Sequence, residues 1–267
     1  MASGAKPNQT AWSEWDFPLK IAANRVPHLA SISKYGFNAA IVDATEDVWS
    51  NGGVLSFLSS AETMNIVSGS GDDKGTPTAG TGARTVTVSG LDANYKPVNE
   101  VVTLNGASNV LTTTAFLRVN RMRVTTAGTG GVNAGVITAT ASTAATVQAA
   151  IPIGAGSTFK SQYTVPAGFY CFIRNVNYGA LNNDQAQFDF QTRIEGGPWI
   201  TRDRIIAVES YLPPPLTCPL MIAPKSDIRV QAIRIAGTGN VQCSVRYGMH
   251  LVKEEFVNSN SIAEDNT

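Results

Sequence analysis

An all-β protein is what this chain of 267 residues predicts, and three features lead to it. Apolar and polar residues alternate in several short runs, the period at which strand side chains fall on opposite faces of a sheet. Clusters of Gly, Pro, Asn and Asp separate those runs, as turn chemistry requires. Helix start signals are scarce. Only Asp43-Ala44-Thr45-Glu46-Asp47-Val48-Trp49, with its acidic start, predicts one short helical turn.

Residues 81–106, TGARTVTVSGLDANYKPVNEVVTLNG, show the pattern clearly. Arg84 to Ser89 places apolar residues on one parity and hydroxyls on the other. Gly90-Leu91-Asp92-Ala93-Asn94 supplies a turn, and Val101-Val102-Thr103-Leu104 returns before Asn105-Gly106. This is a hairpin, and a lone hairpin is marginal in water, so other strands must pack on it. In Leu117-Arg118-Val119-Asn120-Arg121-Met122-Arg123-Val124 the apolar parity switches after Asn120. One extra residue in a strand does this, which predicts a bulge near Asn120-Arg121.

The C-terminal part alternates over longer stretches. Ala186, Phe188, Phe190 and Ile194 oppose Gln187, Asp189, Gln191 and Arg193. Ile228, Val230 and Ala232 oppose Asp227, Arg229 and Gln231, while Val241 to Leu251 oppose Gln242, Ser244, Arg246 and His250. Strands with one apolar and one polar face indicate antiparallel sheets packed on one side. The reading is therefore two antiparallel β domains, the second a β-sandwich or jelly roll. Residues 1–29 read as an extended arm, 30–140 as a β-rich domain and 141–158 as a linker or a surface strand with a crossing loop. Residues 159–253 read as the sandwich and 254–267 as a polar tail.

Composition narrows the function. Charged residues make up only 15% of the chain, with 20 Lys and Arg balancing 20 Asp and Glu. That balance offers no electrostatic footprint for nucleic acid or an anionic membrane. Low charge also weakens repulsion between copies, which suits a protein that works in an assembly. The N-terminus lacks the apolar core of a signal peptide, and no stretch reads as a spanning helix. Cys171, Cys218 and Cys243 have no metal-like spacing; Cys243 reads as a buried thiol, and a pairing of two of the three stays open. A reducing compartment is expected.

Candidate chemistry is sparse, so the expectation is a non-enzymatic protein without metal, cofactor or small-molecule substrate. His28 and His250 read as surface residues. The loop SGSGDDKGTPTAGTG, 68–82, lacks the Gly-Lys-Ser/Thr ending of a phosphate loop and reads as a flexible surface loop, with Asp72 and Asp73 a chance acidic turn. The face formed by Gln187, Asp189, Gln191 and Arg193, with Trp199 nearby, could hold a sugar or be an ordinary solvated face with Trp199 in the core. Arg118, Arg121 and Arg123 could face phosphate, with no support from the neutral net charge. Trp12, Trp15 and Phe17 carry the strongest binding signal. Aromatics this close need burial on the chain's own body or on a neighbour, and a terminal arm reaching a partner satisfies that need.

Four blocks, KYGFNAAIVDATEDVWSNGG (34–53), ETMNIVSGSGDD (62–73), GTGARTVTVSGLDANYKPVNEVVTLNG (80–106) and FLRVNRMRVTTAGTGGVNAGVITA (116–139), resemble a family of tailed-phage virion structural proteins. YTVPAGFYCFIRNVNYGA (163–180) and PKSDIRVQAI (224–233) resemble β-sandwich modules of phage head decorations and fibres. The resemblance implies a capsid decoration or cement protein whose partners are the major capsid protein and its own copies, commonly as a homotrimer. It also implies a virion location, at the capsid surface, after synthesis in the host bacterial cytoplasm. An adhesin module of a head fibre or tail, binding host glycan, is the alternative from another class.

Overall fold

A computed structural model describes residues 20–21, 23, 25–181, 185–208, 210–211, 219–237 and 239–257. Its first nine strands are β1 (Leu29–Ile41), β2 (Glu46–Asp47), β3 (Met64–Ser68), β4 (Ala83–Leu91), β5 (Pro97–Thr103), β6 (Val110–Leu111), β7 (Arg118–Ala127), β8 (Ile137–Ala141) and β9 (Val147–Ile151). The remainder are β10 (Tyr163–Thr164), β11 (Phe169–Leu181), β12 (Gln185–Arg193), β13 (Ile200–Val208), β14 (Ser210–Tyr211), β15 (Leu220–Ile222), β16 (Asp227–Ala236) and β17 (Val241–Lys253). All their pairings are antiparallel, as the one-sided alternation predicts.

Two sheets form a sandwich. One has the order β1-β17-β11-β14 with β15 also on β11, and the other β10-β16-β12-β13 with β2 also on β16. Between them lie Cys171, Ile173, Tyr178, Phe188, Phe190, Val230, Val245 and Tyr247, all buried. The alternation seen in the sequence selects these side chains: β12 and β17 bury every second residue. It stops at Arg193, since Ile194 is 48% exposed.

Two further sheets, β6-β3-β8-β9 and β5-β4-β7, enclose a second core of Met64, Ile66, Val86, Val88, Leu104, Phe116, Met122 and Ile137. The hairpin is β4 and β5, registered from Thr85↔Thr103 to Leu91↔Pro97. Its turn is closed by Asp92, whose Oδ1 accepts the amides of Asn94 at 2.8 Å and Lys96 at 2.9 Å. The bulge falls where the parity switch places it. Ser89 pairs with Arg121 and Gly90 with Val119, so Asn120 is the extra residue.

Strand pairing and the two cores group the residues differently from the boundaries read in the sequence. β1 pairs with β17 along its length, β2 pairs with β16, and Ile41 and Val48 lie in the sandwich core. Residues 29–49 thus join the sandwich, and the second core is carried by an insertion between Trp49 and Lys160. Those two residues form a β-bridge that draws the ends of the insertion together, reinforced by Ser50 N–H to Phe159 O at 2.9 Å. Gly36 permits this closure: a Cβ there would lie 2.4 Å from Val48 O and 2.8 Å from the Ser161 Cβ. Segment 141–158 holds β9, whose Gln148–Ile151 are buried instead of lying at the surface, with Ala149 and Ile151 in the second core.

The expected helical turn at 43–49 is extended chain instead. Glu46 Oε2 accepts Asn38 Nδ2 at 3.0 Å and the Gly53 amide at 2.8 Å, and Asp47 Oδ2 accepts the Leu55 amide at 2.8 Å. The acidic side chains that suggested a helix start serve backbone amides of a loop, a competing use of the same chemistry.

Candidate functional site: the polar joint between the two β units

The bulge at Asn120 turns one face of β7 toward the sandwich. Asn120 Oδ1 accepts the Thr164 amide at 3.0 Å, and its Nδ2 donates to Thr164 O at 3.3 Å. Its own carbonyl accepts the Lys34 ammonium at 2.7 Å. Gly90, opposite the bulge, allows the tight crossing, because a Cβ there would sit 2.0 Å from Arg118 O.

Arg118, two residues earlier, is the centre of the joint. Its Nε and Nη2 donate to Asp227 Oδ1 and Oδ2 at 2.9 and 3.1 Å, and Nη1 donates to the carbonyls of Leu58 at 2.7 Å and Leu117 at 2.9 Å. Asp227 also accepts Arg193 Nε at 2.9 Å and the Thr164 hydroxyl at 2.6 Å. Both members of the central pair are nearly closed to solvent, with side chains 9% and 3% exposed. A bidentate guanidinium–carboxylate pair with its remaining donors and acceptors filled is the geometry that offsets the desolvation of two buried charges. Phe57 lies under both guanidiniums, at 5.2 Å from Arg118 and 4.8 Å from Arg193.

Two lysines enter the same seam. Lys160 is buried and donates to Val119 O at 2.8 Å and Gln148 O at 2.6 Å. Burial first, and the Arg118 charge second, pull its pKa down from the ordinary lysine value to about 7. A neutral amine has two N–H groups, which is what two carbonyls can satisfy. Lys34 is likewise depressed, by burial and then by the charges of Lys160 and Arg121.

The other residues singled out in the sequence find varied places. Trp12, Trp15, Phe17 and Cys218 lie outside the described residues. Of the three arginines, Arg118 is in the joint, while Arg121 and Arg123 are exposed. The polar face of β12 is engaged within the molecule: Asp189 pairs with Arg204 at 2.7 Å, and Gln191 accepts Arg229 Nε at 2.8 Å. Trp199 is half-buried between two guanidiniums, 4.5 Å from Arg193 and 3.9 Å from Arg229. It is neither a core residue nor an open stacking platform.

His28 stacks on Phe256 at 4.1 Å, and half-buried His250 is held below the usual imidazole range by burial and by Arg174. Cys171 and Cys243 are buried free thiols; burial pushes Cys171 up and Cys243 up to about 12, as befits small core hydrophobes. Among the described residues no group of three or more His, Cys, Asp or Glu is placed to hold a metal ion, and no helix is long and apolar enough to cross a membrane.

Asp73 is the residue that sequence reasoning missed. It is fully buried, and its Oδ1 accepts the amides of Ala83 at 2.7 Å and Ala134 at 2.8 Å. Its Oδ2 accepts Gly135 N–H at 2.8 Å and the Ser68 hydroxyl at 2.6 Å. The 68–82 loop, expected to be flexible, is tied to β4 and to the 133–135 turn by this one carboxylate. Arg118 and Asp227 escaped as a pair because they are 109 residues apart in sequence.

The structure thus defines an all-β protein of two antiparallel units fused at a buried, charge-paired joint. No known protein-family model matches the chain, and no curated protein does either. Two solved structures of infectious bursal disease virus, of the Gt and Gx strains, align with it at 10% identity and a TM-score of 0.21. The first alignment covers 91% of this chain and 79% of the viral one, the second 86% and 73%. A score this low does not define a shared fold.

Proposed function

We propose that this chain is a non-enzymatic virion structural protein that binds the outside of a phage capsid and bridges neighbouring major capsid protein subunits. The observation that carries the reading is the joint. Two β units locked by the Arg118–Asp227–Arg193 cluster hold a fixed relative placement, and a protein that bridges neighbours transmits load only if its own parts do not swing. The resemblance of the four sequence blocks to tailed-phage virion proteins supplies the biological setting. Exposed apolar residues such as Val101, Leu111 and Ile206, on β5, β6 and β13, offer contact surface.

Assembly on a symmetric shell multiplies modest contacts, so affinity per copy need not be high. The aromatic arm residues Trp12, Trp15 and Phe17 supply the anchoring contacts in this reading, and a homotrimer is the expected state. The glycan-binding alternative gains nothing from the β12 face, whose amides and guanidiniums are already partnered inside the molecule.

The test is shell binding. Added to empty capsids, the protein should co-sediment with them and raise their resistance to heat, and the double change Trp12→Ala, Trp15→Ala should abolish binding. Undiminished binding by that variant removes the arm's role. Absence of binding to shells, with gold-labelled antibody marking fibre tips or the tail, overturns the capsid reading.

A further inference from the structure

Beside the joint lies a cleft of about 290 Å³ lined by Ser33, Lys34, Tyr35, Arg121, Ser157, Thr158, Phe159 and Arg246. Three cations converge there from three strands: Lys34 from β1, Arg121 from β7 and Arg246 from β17. No carboxylate is among the lining residues. The contrast with the rest of the molecule is sharp. Arg118, Arg193 and Arg204 all have carboxylate partners, whereas among the described residues Lys34, Arg121 and Arg246 form no ion pair. In a chain with equal numbers of acids and bases, such a grouping leaves a local positive charge without a counter-charge.

The polar groups around it are donors. Lys34 is buried, 7% exposed, and spends one hydrogen bond on Asn120 O, so even as a neutral amine its Nζ retains a proton for another acceptor. Thr158 Oγ1 accepts the Met122 amide at 3.3 Å, which leaves its hydroxyl proton to donate. Arg121 is oriented by its Nε bond to Ser157 Oγ at 3.3 Å, and Arg246 packs 5.6 Å from the Tyr35 ring centre. The neighbouring charges of Lys160 and Arg121 also contribute to the depressed pKa of Lys34. An anion in the cleft relieves that repulsion.

We propose that this cleft is a binding site for a small tetrahedral oxyanion of the phosphate or sulfate class, held by Lys34, Arg121 and Arg246 with the Thr158 hydroxyl. The volume is at the lower end of small-molecule sites, which suits a free ion or a single ester group. Because the ligand would touch β1, β7 and β17 together, it would add a second fastening between the two β units, next to the joint.

The experiment is thermal unfolding of the full chain in inorganic phosphate and in chloride at matched ionic strength. Phosphate at about 10 mM should raise the Tm by about 3 °C over chloride, the shift that mass action gives for a site with a dissociation constant near 1 mM. Arg121→Gln with Arg246→Gln, both exposed positions, should fold as the parent does and lose the phosphate-specific shift. Arg204→Gln, on β13 in the sheet that holds neither β1 nor β17, should keep it. Phosphorothioate or sulfate esters that compete with the free ion would place the source as an ester group, still within the proposal. Equal Tm values in phosphate and chloride, or a shift that survives in the double variant, overturn the site. Salt-sensitive binding of a single-stranded oligonucleotide without any response to free phosphate overturns it too. None of these outcomes depends on whether the protein binds capsids.

Discussion

Asp73 and Asp227 are both buried carboxylates with every oxygen engaged, but they are engaged differently. Asp73 is held by three backbone amides and one hydroxyl, all from the inserted unit. Asp227 is held by two guanidiniums and a hydroxyl, and one guanidinium comes from across the joint. The first arrangement shapes a loop within one core. The second ties one core to the other. The amides that hold Asp73 all belong to its own unit, so they fix only the local shape. A long arginine reaches between elements and makes the placement of one unit depend on the other.

Breaking the joint is the most damaging way to test this contrast. Asp227→Asn keeps the shape but leaves two guanidiniums facing a neutral amide, and an uncompensated buried charge costs about 3–5 kcal/mol. The expected result is a fall in Tm of roughly 10 °C and, in calorimetry, separate transitions for the two units where the parent shows one. A single transition at a lower temperature would mean that the joint stabilises without coupling. Asp73→Asn comes next. The new amide presents N–H groups to at least one of the donors that the carboxylate accepted, at a cost of about 2–3 kcal/mol. Its effect should be confined to the inserted unit, read as faster hydrogen exchange at Ala83, Ala134 and Gly135 with β11 and β17 unchanged.

Lys160 sharpens the comparison through pH. Its folded pKa, about 7, lies below the ordinary 10.5. Between those values the unfolded chain binds a proton that the folded chain does not, so stability rises with pH across that window. Below about 7 both states are protonated and the cost of charging the buried amine is present in full. Lys160→Met should flatten the slope of urea-unfolding free energy between pH 7 and about 9.5 by up to the order of 1 kcal/mol per unit. Lys34, depressed by burial as well, acts in the same direction. A slope unaltered by the substitution would place the proton uptake elsewhere.

Much of the fold was legible and much of the joint was not, for physical reasons. Alternation identified β4, β12, β16 and β17 because each has one face against a core, and the parity switch placed the bulge at Asn120 correctly. The same rule misread Asp227 and Arg193. They sit on the polar parity of their strands, which the rule assigns to solvent, but the inserted unit covers that end of the sheet, leaving Asp227 only 2% exposed. Periodicity reports which face a residue is on, not what lies over it. The membership of β1 in the sandwich was hidden for a related reason: its partner β17 lies at the far end of the chain, and nothing local to Leu29–Ile41 announces it. Asp73 was hidden in a Gly- and Ser-rich loop, where composition suggests mobility and only the convergence of amides from two segments and a hydroxyl from a third shows otherwise.

The pairing of β1 with β17, Leu29↔Val252 through Asn38↔Cys243, also sets an order of events during synthesis. On the ribosome β1 emerges well before β17 and waits for that partner while all the strands between them are made. The inserted unit, whose strands pair within residues 64–151, can complete its core in that interval. The nascent chain therefore holds β1 unpaired beside a finished module until β17 arrives, and it is that waiting strand which neighbouring nascent copies could capture.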